Sequence, residues 1–338
     1  MKHFKLLLLF IITISCTLYG DIERRAAIDI GSGSTKVALA EVDTEQNIIT
    51  EVLLDESYPI PFQAALDTSP DGTFDEKIQQ IGIEKFKEIK QLLADHEVQK
   101  TVWVATSAFR KANNSKEYVT RIKNEIDVAV NVIPQREEGE LAFFSAIATG
   151  ENDPAKVVVW DIGTGSLQMT TKNDKDQLAV YMGEQMGSVA FKSYIIGVVQ
   201  KRDVDRTKSP NPMTQPHVDD SDYYVRAFGR KAFSLLKEKI KEHQSIVGIG
   251  RLFYQSLRPI AANEEGYITR AGLRNYINNA IGKTDEELNN PFAHVDVPNC
   301  ILALGMMKAL HIQEIYPIDT TSTRGMRVYP NYWPTTHV

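Results

Sequence analysis

The apolar positions of this chain come in short runs, and two of the runs end on the same polar turn. Ala26-Ala27-Ile28 leads into Asp29-Ile30-Gly31-Ser32-Gly33-Ser34-Thr35, and Val158-Val159-Trp160 leads into Asp161-Ile162-Gly163-Thr164-Gly165-Ser166-Leu167. Each copy reads as strand, tight turn, strand. The turn is the size of a phosphate. Glycine permits positive φ and close backbone approach, so N–H groups and hydroxyls can converge on phosphoryl oxygens, while the aspartate can hold a metal or a water. Aspartate before glycine is also a common turn former at strand ends. Duplication with the same neighbours favours the ligand reading and implies two related domains facing one phosphate-containing ligand.

The pattern between the copies predicts the rest of a first domain. Residues 36–42 and 48–54 alternate as strands around the turn 43–47. Ile78, Ile81, Phe86, Ile89 and Leu93 recur at helical spacing over 76–96, predicting an amphipathic helix. Residues 101–105 and 128–133 read as strands, 117–125 and 137–149 as helices, the last stopped by Gly150. The second copy opens the same way, with strands over 157–161, 168–171 and 178–182. Residues 201–222 hold Pro210, Pro212 and Pro216 among polar residues without a period and predict a mobile loop. Residues 224–243 predict a helix with Lys237, Lys239 and Lys241 on its solvated face, 245–250 a strand, and 298–311 an apolar helix with Pro298 at its start. The expectation is therefore a mixed α/β protein: residues 21–150 as one domain and 151–338 as the other, the closing helix a candidate to pack back on the first.

Composition narrows the function without naming it. The chain has 338 residues, 43% hydrophobic and 24% charged, enough for two cored domains. A net charge of -6 argues against nonspecific nucleic-acid binding, so an anionic substrate needs a local basic lining. The seven histidines show no metal-ligand spacing. Residues 1–20 stand apart: a basic start, Leu6 to Ile12, then Ser15, Cys16 and Gly20, the pattern of a secretory signal peptide cleaved near Gly20. The expected location is then exported, in the periplasm or cell envelope. An uncleaved anchor or lipidation at Cys16 would instead tie the chain to a membrane. With the leader removed only Cys300 remains, so no intrachain disulfide forms.

Several segments, in order, resemble the exopolyphosphatase and guanosine pentaphosphate phosphohydrolase (Ppx/GppA) family of the actin-like ATPase superfamily. Residues 29–34 resemble its first phosphate loop and 161–168 its second, Asp-Ile-Gly-Gly-Gly-Ser-Thr-Glu. Val104-Ala105-Thr106-Ser107-Ala108-Phe109-Arg110 is similar to its Ala-Thr-Ser-Ala segment, and Arg136-Glu137-Glu138-Gly139-Glu140-Leu141 to the region of its Glu-Glu-Ala-Arg-Leu motif. Thr323-Arg324-Gly325-Met326 is like its closing Arg-x-Gly turn. The resemblance implies two actin-like (ribonuclease H-like) domains with a central interdomain cleft. It also implies a metal-dependent phosphohydrolase releasing terminal phosphate from polyphosphate or guanosine pentaphosphate, with Mg²⁺ or another divalent metal as cofactor and a homodimer among the possible assemblies.

The same resemblance assigns roles. Glu138 is the water-activating carboxylate, and Arg110 steadies the loop or contacts phosphate. Asp161 and Asp29 are the metal residues. Gly31, Ser32, Gly33, Ser34, Gly163, Thr164, Gly165 and Ser166 cradle phosphate. Plainer readings stand beside these: Glu137 and Glu138 as carboxylates complementing a helix dipole, Arg110 as a surface ion pair, Thr106 and Ser107 as structural residues.

Three positions depart from the family. Gln168 stands where the second loop ends in glutamate, Thr164 where it has glycine, and Gly33 where the first loop has asparagine. Gly248-Ile249-Gly250-Arg251 replaces a Gly-Gly-Thr-like turn; Arg251 either offers charge to a phosphate or is a surface residue. The alternative function is accordingly a catalytically impaired polyphosphate- or nucleotide-binding protein of the same fold.

Overall fold

The computed structural model describes residues 21–98, 100–242 and 245–334; the expected leader, with Cys16, lies outside them. The first half builds a five-stranded sheet from β1 (Ile22–Ile30), β2 (Ser34–Asp43), β3 (Ile48–Pro59), β4 (Lys100–Ala105) and β5 (Val130–Val132), in the order β3-β2-β1-β4-β5. The β1, β2 and β3 strands form an antiparallel meander, and β4 and β5 add in parallel. Its helices are α1 (Phe62–Asp67), α2 (Glu76–Asp95), α3 (Ser107–Lys111), α4 (Ser115–Ile126) and α5 (Gln135–Ile147).

The second half repeats the plan with β6 (Val157–Ile162), β7 (Ser166–Lys172), β8 (Leu178–Glu184), β9 (Ser245–Ile249), β10 (Ile268–Thr269) and β11 (Glu314–Ile318), in the order β10-β11-β9-β6-β7-β8. Read from β8, this is again an antiparallel meander followed by parallel strands, with β10 added at the far edge. Its helices are α6 (Ser188–Tyr194), α7 (Gln215–Gly229), α8 (Ser234–Lys241), α9 (Arg258–Ala261), α10 (Arg270–Ala280), α11 (Asp285–Leu288), α12 (Ala293–Leu310) and α13 (Ser322–Met326). Two mixed sheets flanked by helices in this order form a two-domain actin-like fold. No described helix is long and apolar enough to cross a membrane.

Each sheet has its own apolar core. Against the first, Phe62, Phe74, Phe86, Phe109 and Tyr118 pack ring on ring with β1 and β2 residues such as Ile28 and Val37. Against the second, α12 is buried along nearly its whole length among Trp160, Leu167 and Phe253. The helices α5 and α13 lie between the sheets. Phe143 and Ala146 of α5 meet Val159 and Val247, while its Leu141 joins Ala27, Val104 and Met326. The glycine of the closing turn makes this possible: a Cβ on Gly325 would strike the Leu141 carbonyl oxygen.

The structure corrects five local expectations. None of Gly31, Gly33, Gly163 or Gly165 has a positive φ. Gly31 is needed for closeness instead, since a Cβ there would lie 2.9 Å from the Ser34 carbonyl oxygen. The 201–222 segment is a loop only to Thr214, because Thr214 caps α7 and Pro216 sits in its first turn, where proline needs no N–H. The loop is also bonded down: Gln200 Nε2 donates to the Pro210 carbonyl at 2.6 Å and Asn211 Nδ2 to that of Ala293 at 2.9 Å. The 224–243 helix is two helices, because α7 ends where Gly229 presses on α12, and Lys239 is mostly covered beside Asp174. Pro298 lies inside α12 rather than at its start; burial of that helix on all sides outweighs one missing hydrogen bond. In α2, Ile83 rather than Ile81 is buried.

Candidate functional site

The two repeated turns are the same hairpin. In the first, the Gly31 N–H donates to the Ser34 carbonyl at 3.0 Å; in the second, Gly163 donates to Ser166 at 2.9 Å. The next helix then secures each. Ile60 and Gln63, at the start of α1, donate to the carbonyls of Gly33 and Ser32 at 3.2 and 2.8 Å. Ser188, Val189 and Ala190, at the start of α6, donate to Gly163 and Thr164 at 2.9, 3.0 and 3.2 Å. With their carbonyls engaged, the loops turn donor chemistry, amides and hydroxyls, toward one cavity of about 550 Å³ between the sheets. Gly31, Ser32, Gly33, Ser34, Gly163, Thr164, Gly165 and Ser166 all line it.

The carboxylates meet at its floor. Asp29 is buried at the end of β1; its Oδ2 accepts from Ser322 Oγ at 2.8 Å and from Lys36 Nζ at 3.4 Å, and its buried Oδ1 has no partner among the described residues. Asp161 stands at the equivalent end of β6. Gly250, at φ +89°, holds the chain so close that a Cβ would lie 3.1 Å from Asp161 Oδ1. Burial pushes the Asp161 carboxyl up to about 6, with Lys36 opposing and Asp29 adding to the rise.

Glu138 enters from the first turn of α5. A side chain on Gly139 would strike Val180, so glycine there lets the turn press on β7 and β8, and Thr170 Oγ1 donates to the Gly139 carbonyl at 2.9 Å. Burial lifts the Glu138 carboxyl to about 7; Arg110 opposes, and the charges of Asp29 and Asp161 reinforce the rise. Arg110 does not line the cavity. Its Nη1 pairs with Glu138 Oε1 and donates to the Ile133 carbonyl at 2.8 Å, so it bridges the carboxylate to β5's exit rather than forming a surface pair. Arg251 stands exposed on the cavity wall directly after Gly250.

Five contributors escaped the sequence reading. Lys36, seven residues after Asp29, points back to it along the antiparallel register Asp29↔Lys36. Thr106 and Ser107, read as structural, line the cavity, and Ser107 Oγ would lie 3.3 Å from a Cβ on Gly165. Ser322 reaches Asp29 across almost the whole chain length. Gly187 supports the second loop so tightly that a Cβ would collide with the backbone of Gly165 and Ser166. Only the Asp29–Lys36 register carried a local signal. Gln168 is buried behind the second loop, where its Nε2 donates to Ser166 Oγ at 3.1 Å, and it does not line the cavity.

The chain matches the sequence model of the Ppx/GppA phosphatase family over residues 40–329. It is similar to the solved structure of an Aquifex aeolicus Ppx/GppA family member, at 19% identity and a TM-score of 0.67 over 92% of this chain and 98% of that one. It is similarly like an exopolyphosphatase from Cytophaga hutchinsonii, at 18% identity and a TM-score of 0.67 over 92% and 98% of the two chains. Among curated proteins it is 24% identical over 155 residues to a bifunctional 3-dehydroquinate synthase/phosphatase of Fusobacterium nucleatum. That match covers 44% of this chain, which spans 23% of the relative's length. The solved structures speak for the fold, and the family match runs through the cavity-lining segments from Ser57 to Ser322. On these grounds the chain belongs to the Ppx/GppA phosphatase family.

Proposed function

We propose that this chain is a phosphohydrolase that removes the terminal phosphoryl group from a chain of phosphoanhydrides. The observation that carries this reading is the convergence of Glu138, Asp29 and Asp161 with both hairpins on one cavity. Glu138, lifted to about 7 and steadied by Arg110, is suited to take a proton from water near neutral pH. The water oxygen then bonds to the terminal phosphorus, the bond from phosphorus to the bridging oxygen breaks, and orthophosphate and the shortened chain leave. Loop amides and the hydroxyls of Ser32, Ser34, Thr164 and Ser166 would hold phosphoryl oxygens, with Lys36 and Arg251 supplying positive charge.

A divalent cation such as Mg²⁺ fits the carboxylate pair: Asp29 Oδ1 is a buried oxygen without a partner among the described residues, and Asp161 lines the same cavity with hard oxygen donors. Asp29 and Asp161 would hold the ion, which supplies neutralisation of phosphate charge. Among the described residues no three acidic, histidine or cysteine side chains gather to hold a metal. Phosphate and water oxygens would complete the shell, as is usual for Mg²⁺.

Linear polyphosphate is the first substrate to test. Guanosine pentaphosphate is favoured by one observation: the cavity is also lined by Val189, Leu252, Phe292 and Val295 together with Ser188, Ser256 and Asn299. Apolar surface with neutral hydrogen-bonding groups suits a base or sugar better than a polyanion. The test is phosphate release from both substrates with Mg²⁺ by the chain from Asp21 onward, lost in Glu138→Gln. No release from either across divalent metals overturns the reading. Binding without release, with release restored by Gln168→Glu, would select the impaired binding protein instead. We also propose export to the cell envelope on the strength of residues 1–20; recovery of the unprocessed chain in the cytosol would overturn it.

A further inference from the structure

We infer that Tyr332 is a positioning residue for Glu138, acting from the segment Met326–Trp333 that follows the closing turn. This rests on the reading of Glu138 as the water-activating carboxylate. Neither Tyr332 nor Tyr329 lines the cavity, yet both bind the helix turn that presents Glu138 to it.

The Tyr332 hydroxyl donates to Glu137 Oε1, and the Tyr329 hydroxyl donates to Glu140 Oε2 at 2.6 Å. The acids flanking Glu138 are thus both held from outside the cleft. A second contact comes from Arg110, which pairs with Glu138 itself, and a third from Gly139, which presses against β7 and β8. A first helical turn held by these contacts has little freedom to rotate its side chains.

The segment is anchored to carry that load. Trp333 Nε1 donates to the Met326 carbonyl at 2.6 Å, and the Arg25 guanidinium lies 4.9 Å from the Trp333 ring centroid. Arg25 Nη1 also donates to the Arg327 carbonyl at 2.9 Å, and Asn47 Nδ2 to that of Val328 at 2.7 Å. Asn331 Nδ2 donates to the Tyr329 hydroxyl at 2.8 Å, and the two tyrosine rings meet edge to face at 5.0 Å. Residues 326–333 therefore tie the first sheet to the turn of α5.

Glu137 explains why the hydroxyl, not only the ring, matters. A carboxylate adjacent to Glu138 that loses its donor is left short of a hydrogen bond and seeks another partner, whereas loss of both hydrogen-bonding groups leaves nothing to satisfy. In Tyr332→Phe the ring still packs, so kcat should fall about tenfold with KM within about twofold, as expected for a displaced catalytic group. Deuterium uptake over residues 135–141 should quicken in the same variant without substrate. The double variant Glu137→Leu/Tyr332→Phe, which removes both hydrogen-bonding groups, should recover most of the loss in both measurements. Wild-type kcat and wild-type exchange in Tyr332→Phe would overturn the inference. If the wild type releases no phosphate, the proposed function falls, and the exchange comparison alone still decides whether Tyr332 orders the turn.

Discussion

The Asp29 and Asp161 hairpins share a backbone and differ in how their charge is answered. Both close on the same glycine-to-serine hydrogen bond and hand their carbonyls to the following helix. Asp29 is met by Lys36 from its own sheet and by Ser322 from the far end of the chain. Among the described residues Asp161 has no ion pair of its own, and burial pushes it up to about 6. The second hairpin is also the more crowded, braced by Gly187 and overlooked by Gly250, whereas Gly33 of the first has open space around it. One repeated motif has thus become a half whose aspartate is met by a lysine and a serine, and a half whose aspartate is raised by burial.

The largest expected effect tests whether Glu138 serves both halves. Glu138→Gln should lower kcat by about 10²–10⁴-fold, the range of a lost general base, while melting at higher temperature than the wild type because a buried carboxylate is gone. A kinetic assay paired with a thermal melt reads both, and loss of activity with loss of stability would count against a catalytic role.

The next effect concerns pH. Glu138 is lifted from 4.5 to about 7 and Asp161 from 3.8 to about 6, so the folded state holds protons that the unfolded chain has released. Stability should be greatest near pH 4 to 5 and fall as pH rises to 7, by up to about 3 kcal/mol for each group. Mg²⁺ at neutral pH should recover part of the loss, and little at pH 5, where the acids are protonated. A denaturant series at pH 5, 6 and 7.5 with and without Mg²⁺ measures it; stability that rises across this range would break the comparison.

Crowding gives a third contrast. Gly187→Ala drives a methyl into the backbone of the second hairpin and should cost about 3 kcal/mol, whereas Gly33→Ala in the first should stay within about 0.5 kcal/mol. Equal costs in urea melts would mean that the hairpins are interchangeable. The smallest effect is expected at Gln168, behind the second hairpin. Gln168→Glu replaces the donor to Ser166 with a buried charge and should cost about 2 kcal/mol without metal. A deficit that shrinks in Mg²⁺ would assign position 168 to the ion; one that does not would assign it to the packing of the hairpin.

Legibility followed the range of the interactions. The strands around both hairpins and the helices α2, α4 and α5 could be read to within a few residues, because period-two and helical spacing are local signals. Short helices such as α3 and α6 were missed, since four to seven residues hold less than two periods. The break between α7 and α8 was missed because Gly229 matters only against α12. Prolines misled twice, Pro216 by opening a helix read as loop and Pro298 by lying within one. At the site, Asp29, Asp161 and Glu138 were readable from duplication and resemblance. Ser322, Gly187 and Tyr332 were not, because nothing in their own neighbourhoods marks them.

What the amino-acid sequence determined alone was the pair of hairpins, the α/β pattern of each half and the acidic floor they imply, all encoded within about ten residues of each aspartate. The tertiary structure decided which charges are answered and by whom. Ser322 meets Asp29, Arg110 meets Glu138, and Tyr332 meets Glu137 across separations of 293, 28 and 195 residues. Burial between two sheets, which no local pattern records, then raises Glu138 and Asp161 toward neutrality by removing the water that would otherwise stabilise their charge.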